Sequence, residues 1–382
     1  MNSKLDVPLA VPWITNSDIK SIISCLKNPH LTDGPKLRKF ESKIAEYTGC
    51  KYAIAVSNAT SALYLSLLSM GIKKGDEVII PDMTFVATAN SILATGAKPV
   101  IVDIDETLNI SIKDVIKKIN SKTKAIIPVH LAGYPCKMQE IKKISKKYNL
   151  IIIEDCAQAL GTFYKNKHVG SFGKTGCFSF YPTKNITTIE GGAVITNSQK
   201  VAKKIAALRN HGITKTLIQR DKANKPWEYD ITHFGYNFRL DEIRSTLGIS
   251  QLDRFSDIVK RRIKAALYYN KGLSKIKGIE IIPYENKKNH AYHLYIIRIK
   301  KSYGLSRDKL HEKLFDCGIK TTVHYKPLHT FSMFKKKYNQ KEFENTMEAF
   351  KECLSLPIFP TITKKQQDYV VFNLKKFQKN II

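Results

Sequence analysis

The stretch YAIAVSNATSALYLSLLSMGIKKGDEVIIP, residues 52–81, contains one complete strand–helix–strand pattern. Its first five residues and its last four are apolar without alternation, which is typical of strands buried on both faces. Between them, Leu63, Leu67 and Met70 share one face of a helix, and Gly71 supplies a stop. This unit favours a parallel sheet covered by helices.

The same pattern continues through the first half of the chain. From about residue 50 to 200, short apolar runs alternate with helical stretches, which predicts an α/β fold with a mainly parallel central sheet. The predicted strands are Tyr52–Val56, Glu77–Pro81, Pro99–Ile104, Lys124–Val129, Leu150–Glu154, Gly176–Phe180 and Ala193–Thr196.

The second half has a different organisation. Residues 239–273 carry an apolar stripe amid charges, which predicts one long helix or two in series. Beyond it, shorter strands and helices alternate, as in a small α+β domain. We expect a large domain with an N-terminal arm at residues 1–255 and a smaller C-terminal α+β domain at 256–382. The predicted elements of that smaller domain are strands at Ile279–Ile282 and Tyr292–Ile299, and helices at Ser306–Phe315 and near Glu342–Leu354.

Composition excludes several classes of protein. The 382 residues are 43% hydrophobic and 25% charged, so global disorder and fibrous structure do not fit. The seven cysteines are odd in number and contain no pair at the spacing of zinc sites or redox motifs, which favours reduced thiols in the cytoplasm and no bound metal. We find no run long enough to span a membrane and no signal segment, so we expect an unprocessed cytoplasmic protein without a membrane partner.

The net charge of +30 favours an anionic partner, either nucleic acid or a phosphorylated metabolite. The lysines are dispersed as doublets and triplets, however, and do not concentrate on one tail or helix. This distribution argues against specific binding of nucleic acid.

Two carboxylates, Glu154 and Asp155, end the predicted strand at 150–154. Carboxylates are seldom buried without a partner, so a cationic group should face one of them. Alternatively, either residue could cap a following helix through its backbone amides.

A lysine follows the strand predicted at 176–180. Pro182 imposes a turn that delivers Lys184 to the edge of the sheet where ligands of α/β proteins collect. A lysine held neutral there can form a Schiff base with a carbonyl compound. In a chain so rich in lysine, an ordinary structural role is the competing interpretation.

Two further segments suggest a bound phosphate and a bound ring. Ser57–Leu63 opens a helix directly after a strand, and free amides at such a start bind phosphate. Ser57 or Asn58 could equally be an ordinary N-cap. Phe85 lies just beyond the second strand and could stack on a ring or pack in the core. A turn lysine, a strand-end carboxylate, a phosphate-binding helix start and a stacking aromatic are together what pyridoxal 5'-phosphate requires.

In these segments the chain resembles the DegT/DnrJ/EryC1/StrS sugar aminotransferases, which have the fold type I (aspartate-aminotransferase-like) architecture of pyridoxal-phosphate enzymes. The resemblance extends over nearly the whole chain. Its motifs are Leu31–Pro35 followed by Phe40-Glu41, Asn58–Leu63, Pro81–Asn90, Glu154–Gly161, Ser179–Gly192 and Gly235–Arg239.

The resemblance implies a role for each matching residue. Lys184 would bind the cofactor covalently, and Asp155 would face the pyridine nitrogen. Asn237 would reach the cofactor phosphate of a neighbouring subunit, which implies a homodimer with shared active sites. The remaining cofactor-binding residues would be Thr60, Ser61 and Ser179 at the phosphate and Phe85 and Gln158 at the ring; the substrate-binding residues would be Thr32, Gly34, His324, Tyr325 and His329.

Within the family, the segments Lys184–Thr188, Leu208–Thr214 and Pro226–Tyr229 are most similar to the branch acting on the pseudaminic acid route. That similarity implies transfer of an amino group from L-glutamate to C4 of a nucleotide-linked 4-keto-6-deoxy sugar, UDP-4-keto-6-deoxy-N-acetylhexosamine, by a ping-pong mechanism. Gln158 and Asn58 depart from the pattern, because His and Gly are more usual there.

Three alternatives remain open at this stage. Relatives that use UDP-4-keto-arabinose share part of the pattern, and GDP- or dTDP-linked sugars are further possibilities. A sugar dehydratase of the same fold would need His in place of Lys184. The most remote alternative is a non-enzymatic, basic nucleic-acid-binding protein that has the same fold.

Overall fold

The computed structural model describes residues 5–215, 219–220, 223–284 and 289–378. In this part of the chain the largest sheet has seven strands, and a two-stranded hairpin lies beside it. The strands of both, in chain order, are β1 (Tyr52–Val56), β2 (Glu77–Pro81), β3 (Lys98–Val102), β4 (Thr123–Ile126), β5 (Ile151–Asp155), β6 (Phe163–Tyr164), β7 (Lys167–His168), β8 (Thr175–Ser179) and β9 (Gly192–Thr196).

The large sheet has the order β1-β9-β8-β5-β4-β2-β3, with β6 and β7 forming the hairpin. The pairs from β8 through β5, β4 and β2 to β3 are parallel, whereas β9 runs antiparallel to both β8 and β1. The predicted α/β fold with a mainly parallel sheet is therefore confirmed. Each predicted strand is present, and the errors are confined to the ends.

Alternate residues of each strand pack on opposite faces of this sheet, and both faces are buried. Ile54 and Ile80 lie in one apolar cluster, whereas Ala55 and Ile79 lie in clusters on the other side. This explains why the strands have continuous apolar sequences. The helices before, between and after these strands are α1 (Asn16–Leu26), α2 (Pro35–Thr48), α3 (Ala59–Ser69), α4 (Ala87–Ala94), α5 (Ile112–Lys118), α6 (Met138–Tyr148) and α7 (Gln199–Leu208).

The long helical stretch forms two helices in series, one of the two predicted outcomes. The first, α8 (Glu242–Asp253), begins after Asp241, whose side chain accepts a hydrogen bond from the Arg244 amide at 2.7 Å. Arg254 departs from helical geometry and separates α8 from α9 (Phe255–Leu273).

The C-terminal part has an antiparallel sheet of β10 (Ile279–Ile281), β11 (Tyr295–Ile299) and β12 (Cys353–Leu356). The helix expected to reach Leu354 instead ends at Glu352, and the chain continues directly as β12. The domain boundary at 255/256 stays a prediction, and it falls at the start of α9. The helices of this part are α10 (Arg307–Asp316), α11 (Ser332–Lys335), α12 (Glu344–Glu352) and α13 (Lys364–Lys376).

The N-terminal arm lies on the C-terminal part of the chain. The Val7 amide donates to the Gly318 carbonyl at 2.9 Å, and the Lys320 amide donates to the Val7 carbonyl at 2.9 Å. The Val7 side chain is buried in the apolar cluster of that part. The arm therefore joins the first described residues to the C-terminal part of the chain.

Side chains cover both edges of the large sheet. At the β3 edge, the Tyr338 hydroxyl donates to the Pro99 carbonyl at 2.9 Å and accepts from the Ile101 amide at 3.3 Å. At the β1 edge, the Ala55 amide donates to Glu41 at 3.0 Å, and Arg209 donates to the Ala55 carbonyl at 2.5 Å. Among the helices that the structure describes, none has the length and apolarity required to cross a bilayer.

Candidate active site

Lys184 lies just beyond the end of β8, where the chain turns. The Lys184 amide donates to the Tyr181 carbonyl at 2.9 Å, and Pro182 occupies the second position of this turn, as predicted. Burial lowers the pKa of the Lys184 amine to about 8, and the negative charge of Asp155 partly opposes this shift. Among the described residues, no side chain forms a hydrogen bond or ion pair with this amine. Lys184 is therefore an amine without such a partner among these residues, and its lowered pKa brings the neutral, nucleophilic form within reach near neutral pH.

Asp155 ends β5, which is hydrogen-bonded to β8, the strand that leads to Lys184. One carboxylate oxygen accepts from the Ala157 amide at 3.1 Å, and the other accepts from the Thr88 hydroxyl at 2.8 Å. The pKa of Asp155 is raised overall, because burial outweighs these two hydrogen bonds and the charge of Lys184, which lower it. Lys184 is thus the cationic group expected to face this buried carboxylate, although the two do not lie within ion-pair distance.

Glu154 points to the other side of the sheet and has a structural role. Its carboxylate accepts from the amides of Gly170, Phe172 and Gly173 at 2.7 to 2.8 Å and lies 3.1 Å from the His130 ring. The Cys136 amide donates to Nδ1 of His130, so a neutral His130 carries its proton on Nε2 and donates it to Glu154. Glu154 is fully satisfied, and Asp155 alone of the two carboxylates is coupled to Lys184.

The pairing of three strands brings Ser179 near the start of α3. Gly192 pairs with Ser179 on one side and with Val56 on the other. A side chain on Gly192 would collide with backbone, because a Cβ atom there would lie 2.5 Å from the carbonyl carbon of Asn58. Glycine at this position therefore allows β9 to approach the beginning of α3.

The start of α3 is organised by hydroxyl and amide side chains. Asn58 accepts hydrogen bonds from the amide of Ser61 at 2.8 Å and from its hydroxyl at 3.0 Å. The hydroxyls of Ser57 and Ser61 lie 2.9 Å apart, and Thr60 is exposed in the first turn. The sequence offered Ser57 or Asn58 as the N-cap, and the structure shows that Asn58 caps α3. The start of this helix presents exposed polar groups suitable for binding a phosphate.

Phe85, Gln158 and Tyr325 form the side of the site where a ring could bind. The Gln158 side chain accepts from the Ala132 amide and donates to the Tyr325 hydroxyl, both at 2.7 Å. The Phe85 ring centre lies 5.9 Å from that of Tyr325, and Phe85 is 57% exposed. Phe85 is therefore not a core residue, and one ring face is free to stack.

The two histidines of the predicted substrate loop have different surroundings. Nδ1 of His324 lies 2.8 Å from the Ser355 hydroxyl, and burial together with the charge of Lys184 lowers the pKa of His324 to about 4. His329 is 1% exposed, lies 2.6 Å from Asp82 and stacks on Phe343 at 4.4 Å. The structure thus places His324 near Lys184 and His329 in the interior.

Thr32 and Gly34 lie in a loop that is attached to the start of α8. Thr32 is exposed and pairs with Asp241, whereas the buried Gly34 donates its amide to Glu242 at 3.1 Å. A Cβ atom on Gly34 would lie 2.7 Å from the Glu242 carboxylate. Asn237 pairs through its backbone with Asn210 and has an exposed side chain, as a contact with a neighbouring subunit requires.

Three residues of this region were not predicted from the sequence. Thr88 donates a hydrogen bond to Asp155, and His130 interacts electrostatically with Asp155. The third residue is the buried His293, which interacts electrostatically with Lys184. Burial and that charge lower the pKa of His293 well below its usual value. Thr88 and His130 could have been found, because each follows a predicted strand at the same edge of the sheet.

These residues fit pyridoxal 5'-phosphate. An unpaired, desolvated amine lies beside a buried carboxylate, an exposed aromatic ring is available for stacking, and a helix start can take the phosphate.

Comparison with known proteins agrees with this reading. Residues 12–375 match the model of the DegT/DnrJ/EryC1/StrS aminotransferase family. The chain belongs to this family. The match covers nearly the whole protein, so the aminotransferase fold extends from the N-terminal helix to the last one, and the resemblance noted in the sequence is confirmed.

Two curated relatives align over almost their full length. The spore coat polysaccharide biosynthesis protein SpsC of Bacillus subtilis is 38% identical, with 96% of this chain and 95% of SpsC covered. The GDP-perosamine synthase of Escherichia coli O157:H7 is 34% identical, with 97% of this chain and 98% of the synthase covered.

Solved structures show the same fold. Helicobacter pylori PseC, an aminotransferase involved in the biosynthesis of pseudaminic acid, superposes with a TM-score of 0.91 at 31% identity, covering 98% of this chain and 99% of PseC. Spr1654 of Streptococcus pneumoniae, proposed to be a sugar aminotransferase and solved in its PMP form, has a TM-score of 0.91 at 30% identity, covering 99% and 100%. This protein is thus a sugar aminotransferase dependent on pyridoxal phosphate.

Proposed function

We propose that this aminotransferase moves the amino group of L-glutamate to C4 of UDP-4-keto-6-deoxy-N-acetylhexosamine. The observation that carries the transfer chemistry is the unpaired amine of Lys184 beside the buried carboxylate of Asp155. The substrate class is supported by the similarity to PseC and to the spore coat polysaccharide biosynthesis protein SpsC. Lys184 also argues against the dehydratase alternative, which needs His at that position.

Each residue of the site has a separate role in the proposed reaction. When bound, pyridoxal phosphate supplies an electron sink for the carbon that loses or gains a proton. Lys184, with a pKa of about 8, can accept a proton and return it at neutral pH. Asp155 provides a fixed negative charge for the pyridine nitrogen, Phe85 covers a ring face, and the start of α3 binds the phosphate. Glutamate and the keto-sugar use this site in turn, which is a ping-pong scheme.

The substrate contacts come from two segments. His324 and Tyr325 lie on the Lys184 side, and we assign them to the sugar nucleotide together with the loop of Thr32 and Gly34. A neutral His324 can hydrogen-bond to a sugar without repelling the Lys184 ammonium. The net charge of +30 steers the diphosphate of the substrate towards the protein.

We further propose a homodimer in which Asn237 completes the partner's phosphate site. This can be tested by mixing two inactive variants under conditions of subunit exchange. K184M and N237A should restore activity together, because one site of each heterodimer then has both residues. K184M mixed with D155N is the matched control and should stay inactive, since Lys184 and Asp155 belong to the same site. Equal behaviour of both mixtures would contradict the shared site.

The substrate assignment is tested with ¹⁵N-glutamate and a panel of UDP-, GDP- and dTDP-linked 4-keto sugars, with products detected by mass spectrometry. We expect ¹⁵N in the UDP-linked product and none with K184M. Labelling only of a GDP- or dTDP-linked sugar would overturn the assigned nucleotide, and GDP sugars matter because of the perosamine synthase relative. A product that has lost a hydroxyl without gaining nitrogen would indicate a dehydratase.

A further inference from the structure

Two buried threonine hydroxyls form a chain that ends on Asp155. Both follow β2, where the chain turns into α4, and they lie four residues apart. The Thr84 and Thr88 hydroxyls are 2.9 Å apart, and Thr88 lies 2.8 Å from the carboxylate of Asp155. Thr84 and Thr88 are 2% and 1% exposed, so water does not compete for these contacts.

The direction of the hydrogen bonds in this chain follows from the chemistry of its end. An ionised carboxylate can only accept, so Thr88 must use its single O–H bond to donate to Asp155. The Thr88 oxygen is then free to accept from Thr84. The other acceptor near the Thr84 hydroxyl, the Phe85 carbonyl, lies at 3.5 Å, a length at which a hydrogen bond is weak. The chain therefore runs from Thr84 through Thr88 to Asp155.

Protonation of Asp155 on Oδ2, the oxygen that faces Thr88, would require the reverse direction. Asp155 would then donate to Thr88, Thr88 to Thr84, and Thr84 would be left with the distant Phe85 carbonyl. The observed spacing thus suits the ionised carboxylate better than an acid protonated on the oxygen that faces Thr88.

We propose that Thr88, oriented by Thr84, is a positioning residue that keeps Asp155 ionised and aimed at the pyridine nitrogen of the cofactor. This inference rests on the role proposed for Asp155. Thr88 donates the one side-chain hydrogen bond that Asp155 accepts among the described residues, and the second oxygen is held by the Ala157 amide.

Other ionisable groups also face Asp155. Lys184, from the turn after β8, favours its ionised form, and so does His130, from the segment after β4, when its ring is protonated. The Tyr325 phenol and the buried thiols have pKa values raised by burial, so they stay neutral near pH 7. The remaining charge is Glu154, which its own hydrogen bonds hold on the far side. The thiols are those of Cys136, Cys156 and Cys177.

The first test needs no cofactor. The carboxyl carbon of Asp155 is followed by ¹³C NMR during a pH titration of cofactor-free protein labelled at aspartate, and D155N assigns its signal. We expect T88V to shift the titration of Asp155 to higher pH and T88S to restore it. T84V removes the donor to Thr88 without touching Asp155, so it should give a smaller shift in the same direction. An unshifted titration in both valine variants would overturn the hydroxyl chain.

Another buried threonine of the protein provides a matched control for the loss of a buried hydroxyl. The Thr346 hydroxyl donates to Asp103 at 2.6 Å and is fully buried in another part of the molecule. T346V therefore deletes the same kind of hydrogen bond and should leave the titration of Asp155 unchanged. A shift in T346V equal to that in T88V would show a general structural effect and overturn the inference.

The second test measures the dissociation constant of pyridoxal phosphate by quenching of protein fluorescence. Because T88V loses a hydrogen bond to a charged group, it should bind pyridoxal phosphate about tenfold more weakly than the wild-type protein does. T88S keeps the hydroxyl and should bind the cofactor nearly as tightly as wild type. A shifted titration with an unchanged dissociation constant would contradict the proposal that Thr88 orients Asp155 towards the pyridine nitrogen. Failure of the transamination panel with intact cofactor binding would instead reject the proposed substrate, so the two failures can be told apart.

Discussion

Replacing Lys184 by methionine should stabilise the cofactor-free protein at neutral pH. Burial lowers the pKa of the amine to about 8 from its usual 10.5. At about 1.36 kcal/mol per pKa unit, the native state at pH 7 carries a penalty of about 3 kcal/mol for holding the charged amine. Methionine keeps much of the apolar stem and brings no charge. K184M should therefore gain up to about 3 kcal/mol in free energy of unfolding.

The gain should depend on pH in a defined direction. Below pH 8 the amine is charged in the native and unfolded states, and the penalty is complete. Between pH 8 and 10.5 the unfolded chain binds more protons than the native state, so the wild-type protein gains stability as pH rises. Above 10.5 the advantage of K184M should disappear.

The assay is urea unfolding of both cofactor-free proteins from pH 6 to 11, and the quantity of interest is their difference in free energy of unfolding. K184R is the control, because arginine stays charged over this range and should give no gain at pH 7. A difference that does not change with pH, or a K184M protein less stable than wild type at pH 7, would refute the reasoning that Lys184 is desolvated.

Three further outcomes are expected. D155N should fold normally but lose about 10²-fold or more in kcat, the order of effect of removing one preorganised charge partner, as measured by steady-state kinetics; wild-type kinetics would rule out its role. G192A should cost about 1–3 kcal/mol in urea unfolding because its Cβ meets backbone, whereas G272A meets only a valine side chain and should be nearly neutral; equal effects would contradict the close approach. The Glu242 carboxylate accepts hydrogen bonds from three backbone amides at and just after Gly34, and E242Q leaves only one side-chain oxygen to accept them. The Gly34 loop should then be held less firmly, so KM for the sugar should rise more than kcat falls; an unchanged KM would show that this loop does not contribute to substrate binding.

The sheet could be predicted from the sequence because its strands are apolar and continuous. Strands buried on both faces differ sharply from the amphipathic helices between them, and this contrast survives without any knowledge of tertiary structure. The same holds for Lys184 and Asp155, because residues at the carboxyl ends of parallel strands meet at one edge. The cytoplasmic location stays a prediction.

Features that depend on distant contacts were missed. The pair of His329 and Asp82 joins residues 247 positions apart, and no local pattern could show that this pairing and Phe343 bury the histidine. The strand β12 directly follows a helix, and its four residues become a strand only because they pair with β11. Thr88 differs from these cases, because its place after a predicted strand at the same edge of the sheet could have pointed to it, but its hydrogen bond to Asp155 became visible only in the structure.

The covered sheet edges have a consequence for how the protein behaves in a crowded cell. An open strand at a sheet margin is a template on which a second molecule can add its own strand and begin a fibril. Here Tyr338 blocks one margin, while Glu41 and Arg209 occupy the other. The segment that carries Tyr338 begins just after Tyr325 and His324, so the loop assigned to sugar recognition leads into the one that protects the sheet from self-association. Substitutions in the loop of His324 and Tyr325 that displace Tyr338 would therefore uncover the β3 margin of the sheet.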